Sequence, residues 1–194
     1  MTDLASPTSA ARIVEGRAVP AAGTWSVDPS HSDVAFTAKH LVVSKVRGRF
    51  ADYSVSLTVA DDPARSSVHV EIQAGTISTG QEDRDGHLKS PDFLDVERYP
   101  TLSFHSTGVE PVGDDTWKAR GDLTIRDVSR PVVLDVEFLG VTEDPWGNQR
   151  AGFTAVTEID REDWGLAWNQ PLANGGVLVG RKVKIEIDVE AVQA

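Results

Sequence analysis

From Trp25 onward, apolar residues recur at every second position, the period of a strand with one buried face. Val34, Phe36, Ala38 and His40 share one face of the first run, and Ala35, Thr37 and Lys39 share the other. The next run begins on Val46, Gly48 and Phe50, then changes parity to Tyr53, Val55, Leu57 and Val59. One inserted residue turns every later side chain to the opposite face, so a bulge is expected near Ala51 and Asp52. After the turn residues Asp61, Asp62 and Pro63, Val68, Val70 and Ile72 alternate again. Ile77 then resumes on the other parity past Gly75, which predicts a second kink. Runs of the same period follow at Leu102 and Phe104, at Trp117 to Ile125, at Val132 to Phe138, at Phe153 to Ile159 and at Val183 to Val189. Turn clusters "VGDD", "EDPWGNQ" and "ANGG" lie between them, so the connections read as hairpin-like and the sheet as antiparallel. Parity changes inside long strands suit a strongly coiled sheet, and closure is how such a sheet loses its edges. The pattern predicts an all-β fold, an extended antiparallel barrel of about eight strands, in preference to a sandwich.

The stretch "TGQEDRDGHLKSPDFLDVERYPTLSF" interrupts this rhythm at residues 79–104. Gln81 to Ser90 holds good helix formers without two-residue alternation. Ser90 before Pro91 reads as the N-cap of a second short turn. One or two short helices between the central strands are therefore expected, covering one barrel end. Leu88, Phe93 and Leu94 would pack inward, with Glu82, Asp83 and Lys89 in water. Residues 1–22 are rich in Ala, Ser, Thr and Pro and are expected to form a flexible tail; residues 23–194 form the barrel domain.

Composition then narrows the chemistry. Thirty acidic against 19 basic residues give a net charge of −11, a field that argues against nucleic acid as a partner. The absence of cysteine removes disulfides and thiolate chemistry. Asp3 stands where a secretory leader needs positive charge, and no apolar core of leader length follows, so a cytoplasmic location is expected. No run approaches the length of a membrane helix. Asp85 and His87 are a conceivable acid and base, with His40 as another, but two residues apart on a helix they face different ways, and capping or ion pairing is the preferred reading. His31, His40, His69 and His105 show no metal-ligand spacing, so no metal is expected. "NGGVLVG" lacks the lysine and helix of a phosphate loop and reads as a turn. Trp164 and Trp168 fit an aromatic mouth or plain core packing equally well.

An eight-stranded barrel is either filled by its own side chains or holds one slender ligand, and the pattern alone leaves both open. By parity, the candidate lining is Val34, Phe36, Ala38, His40, Phe50 and Leu57 from the early strands. Leu102, Phe104, Leu123 and Ile125 come from the middle, and Phe138, Phe153, Trp164 and Trp168 from the end. Arg84, His87 and Lys89 are candidates for a cationic mouth that would meet a pyrophosphate.

Three blocks carry a family resemblance from Trp25 to Val189. "WSVDPSHSDVAFTAKHLVVSKVRGRF" is similar to an opening W-x-x-D-x-x-H-S, and the 79–104 stretch contains R-D-x-H-L and a later Y-P. "GDLTIRDVSRPVVLDVEF" resembles an L-T-I strand pair and is followed by "DREDWG", counterpart of an R-x-D-F-G segment. Together they resemble the YceI-like family. Asp127 stands where the family often has glycine, and Trp164 where it often has phenylalanine. The resemblance implies a lipocalin-like barrel with a hydrophobic pore, and non-enzymatic binding, storage or transport of a long isoprenoid such as a prenyl diphosphate or isoprenoid quinone, with no other cofactor. It also implies a homodimer. The alternatives are an enzyme using Asp85 and His87 on a hydrophobic substrate, or a packed barrel that works through its surface.

Overall fold

In a computed structural model, which describes residues 11–41, 43–173 and 175–194, the alternating runs become strands that close on themselves. β1 (Ala11–Val14) and β2 (Arg17–Pro20) form a separate hairpin. β3 (Gly23–Val27) pairs with the last residues of the final strand and β4 (Asp33–His40) with its earlier ones, so the two make one interrupted barrel strand. β5 (Ser44–Phe50) and β6 (Tyr53–Val59) make the second, pairing with β4 and β3. β7 (Ser67–Gln73) and β8 (Ile77–Ser78) make the third. Continuous strands follow: β9 (Thr101–Pro111), β10 (Thr116–Ile125), β11 (Val128–Glu143), β12 (Gln149–Asp160) and β13 (Val179–Gln193). Three interrupted and five continuous strands make eight, each antiparallel to its neighbour in sequence, and β13 closes the ring between β12 and β3–β4.

The ladder breaks where the parity changes. Ala51 and Asp52 leave the ladder after Phe50, and the Ala51 N–H donates to Thr76 O while Asp52 O accepts from Gln73 N–H. Facing them, Ala74–Thr76 coil into a single 3-10 turn. The expected bulge and the expected kink are thus one matched break in two neighbouring strands. A further break at Pro29–His31 is set by Asp28, whose carboxylate accepts from Ser30 N–H. Register also slips between Arg120 and Gly121 on β10, which turns Val109 of β9 toward the same side as Phe104.

Residues 11–20 correct the expectation of a loose tail. Composition undervalued them because a few side chains do the anchoring: Val19 is only 2% exposed in the barrel end. Arg12 donates to the carbonyls of Ala60 and Asp61, and Arg17 donates to Gly113 O at 2.9 Å. Residues 1–10 of that tail lie outside the described residues. The helix forms as expected, α1 (Glu82–Lys89), with Ser90 as its C-cap; 91–94 is a turn and not a helix, and Ser90 caps it as well, its Oγ accepting from Asp92 N–H at 3.3 Å and its carbonyl from Phe93 N–H. Leu88, Phe93 and Leu94 do pack inward, while Lys89 is half-buried where exposure was expected.

Candidate functional site: an apolar cavity through the barrel

The inward positions of all eight strands enclose a cavity of about 350 Å³. It runs from Val19 and Pro20 of the β1–β2 hairpin to Leu88, Phe93, Leu94 and Leu166 beneath α1. Apart from Ser66, Ser67, Thr157 and Arg161, every lining residue is apolar. The barrel is hollow because several inward positions are small. Ala38, Ala119 and Ala155 leave space, and two glycines accept aromatic rings against the wall. A Cβ on Gly48 would come within 2.6 Å of Phe36 Cε1, and one on Gly121 would lie 2.5 Å from Phe104 Cζ and collide with His105 O. These rings occupy the space of missing side chains on neighbouring strands instead of crossing the lumen.

Most parity-chosen residues line this cavity. Val34, Phe36, Ala38, Phe50, Leu57 and Leu102 do so, as do Phe104, Leu123, Ile125, Phe138 and Phe153. His40 has the right parity, but at the tip of β4, between Ser44 and Val179, it does not line the cavity although Val179 does. Trp164 is 3% exposed and sits in a 3-10 turn, packed in the same core cluster as Leu123, Ile125 and Leu134, where its indole Nε1 donates to Leu123 O at 3.0 Å. Trp168 is half-buried against His87 and Phe93 of the lid, with ring centroids at 4.5 and 5.4 Å. None of the three lines the cavity.

Two of the mouth candidates, Arg84 and His87, tie the lid together. Arg84 Nε donates to Thr79 Oγ1 at 2.7 Å, and His87 Nε2 pairs with Asp92 at 2.9 Å. Neither they nor Lys89 reach the cavity, although Leu88 between them does. Asp85 does not orient His87: its Oδ1 accepts from Thr79 N–H at 2.8 Å and Thr79 Oγ1 at 2.5 Å. Desolvation opposes its ionisation, but those hydrogen bonds and one from Ser78 hold its carboxyl below the usual range.

Arg161 is a lining residue that the alternation could not reveal, because the period ends at Ile159. It is 3% exposed, and burial pushes its guanidinium down from its ordinary value. Its donors go to the carbonyls of Gly180, Leu166 and Val179, so its charge is spent on backbone and its stem faces the cavity. At the other end, Arg150 joins Asp28, Asp144 and Glu190, three carboxylates from three parts of the barrel. Asp28 is held far below the carboxylate range by Arg150 first, then by His31 and the Ser30 N–H. Asp28, His31 and Glu190 are close enough to hold a cation, but the guanidinium already supplies the positive charge there.

The described residues contain no helix long and apolar enough to cross a membrane. Residues 25–191 match the model of the YceI-like domain. A UPF0312 protein of Azotobacter vinelandii is 36% identical over 152 residues, 78% of this chain and 79% of that one. Among solved structures, Burkholderia cenocepacia BcnA superposes with a TM-score of 0.73 at 21% identity, covering 84% of this chain and 98% of that one. A polyisoprenoid binding domain from Saccharophagus degradans gives a TM-score of 0.63 at 14% identity, covering 88% and 98%. At those identities, both share the fold.

Proposed function

The chain belongs to the YceI-like domain family, and from that premise we propose that it is a non-enzymatic carrier or store for a long isoprenoid or similar amphiphile. The carrying observation is the cavity inside the barrel, whose wall is hydrocarbon from the hairpin to the lid. Such a wall selects by shape and apolarity: each methylene moved out of water gains about 0.8 kcal/mol and needs no polar partner. The structural neighbour described as a polyisoprenoid binding domain supports the same ligand class. With one end stopped by the hairpin, the headgroup emerges at the lid end; in this reading it is a diphosphate or a quinone, and the protein works as a cytoplasmic homodimer.

The acid–base alternative loses its geometry, since Asp85 and His87 have separate partners. A fully packed barrel is at odds with the open interior. Gentle purification, organic extraction and mass spectrometry test the proposal, with a prenyl lipid expected. Ala155→Trp, which projects an indole into the lumen, is expected to lower prenyl binding at least about tenfold while the fold persists. An empty extract together with no prenyl binding on titration overturns the reading.

A further inference from the structure

The net charge of −11 conceals a strongly basic face. Residues 39–49 and 179–184 contain no Asp or Glu and seven of the chain's 19 Lys and Arg: Lys39, Lys45, Arg47 and Arg49 on the first, Arg181, Lys182 and Lys184 on the second. Strand pairing gathers them on β13, β4 and β5. Lys184 lies opposite Thr37, which lies opposite Arg47, while Lys39 directly faces Lys45. Some of this charge is answered: Arg181 pairs with Asp160 and Glu162, and Glu186 serves Lys184 and Arg47. Lys39, Lys45 and Arg49 have no carboxylate within ion-pairing distance among the described residues. Two lysines face to face on a sheet repel, so the arrangement costs stability without an internal return.

The same end carries bare apolar side chains. Val43 is 86% exposed, Val177 42% and Leu41 37%, and the Leu41 N–H joins the two tips by donating to Leu178 O. Their loop also reaches the lid through Trp168 on His87. The opposite end exposes Trp146 and Val112, but Asp114, Asp115 and Glu143 surround those in sequence.

We propose that the β4–β5 tip and the basic face of β4, β5 and β13 form a docking surface for an anionic lipid bilayer, which presents the lid end of the barrel to the membrane. Unpaired lysines meet lipid phosphates, each contributing at the negative surface, while Val43, Leu41 and Val177 enter the headgroup layer. The lid beside this face exposes Glu82 and Asp83, so the basic strands and not the lid helix meet the lipid phosphates, and the uneven charge distribution sets orientation as well as affinity. This surface does not depend on what the cavity holds.

Co-sedimentation of the full chain with phosphatidylcholine vesicles, with and without roughly 30 mol % phosphatidylglycerol, tests it. Binding is expected on the anionic vesicles alone and is released by high salt. The Lys39→Ala, Lys45→Ala pair weakens it by about fivefold per lysine; Val43→Asp weakens it too, and Trp146→Ala at the far end leaves it intact. All these positions are exposed, so the variants should melt like the parent. No sedimentation on anionic vesicles overturns the proposal. So does binding indifferent to the lysines and Val43, binding lost in Trp146→Ala, or capture of duplex DNA with vesicles ignored. Prenyl extraction reports on the cavity separately.

Discussion

At the scale of single residues, the hollow depends on what is missing. Gly121 sits beside Phe104 and under the His105 carbonyl, and backbone cannot yield as a flexible side chain can. Gly121→Ala is therefore expected to destabilise the barrel by roughly 1–3 kcal/mol in urea denaturation, the range for an overpacked core. Gly108, where a Cβ meets nothing within 4 Å, should tolerate alanine far better. Sequence showed Gly48 on the inward parity but could not show that the Phe36 ring fills its place. His40 teaches the converse: alternation gives the face of a strand and does not say which side chains on that face reach the cavity.

At the scale of elements, the ends of the barrel are closed by different devices. The lid, α1 with the turn at 91–94, is pinned through Thr79 to Asp85 and Arg84. The hairpin β1–β2 closes the other end with Val19 and Pro20, and it precedes the family match, which begins at residue 25. Removal of residues 1–20 should open that end. In competition between prenyl alcohols of different length, the shortened chain is expected to shift its preference toward longer ones; an unchanged length profile would deny the hairpin that role. The lid was legible in sequence because its composition breaks the strand period. The hairpin was not, because four-residue strands carry too little pattern to stand out from a polar tail.

At the scale of the whole molecule, Arg150 draws together the β3–β4 break, the β11–β12 turn and the last strand. Burial works against ionisation of Asp144, but hydrogen bonds from Arg150, from Asn148 and from the Trp146 N–H hold its carboxyl far below the usual range, as with Asp28. A carboxylate with a depressed folded pKa contributes stability that is complete above its unfolded value near pH 4 and is lost as pH falls further toward the folded value. Melting temperature should accordingly fall on acidification below about pH 4. Arg150→Met, which leaves three carboxylates facing one another, should melt lower than the parent at neutral pH, with the gap narrowing in acid as they protonate. A gap that stays constant with pH would remove the electrostatic account.

What the sequence determined by itself was the local alternation: the main strands of the barrel, which way their sides face, the paired break at Ala51–Asp52 and Gly75, and that a helix interrupts the series. Those follow from the two-residue period, which needs no knowledge of distant partners. Only the tertiary structure decided that the lumen is open, that Trp164 and Trp168 do not line it, that residues 11–20 plug one end and that basic side chains converge at the other. Each of these is a matter of depth, volume or convergence between segments far apart in the chain. Such quantities are fixed by how strands close around a common axis, and no one-dimensional pattern contains them.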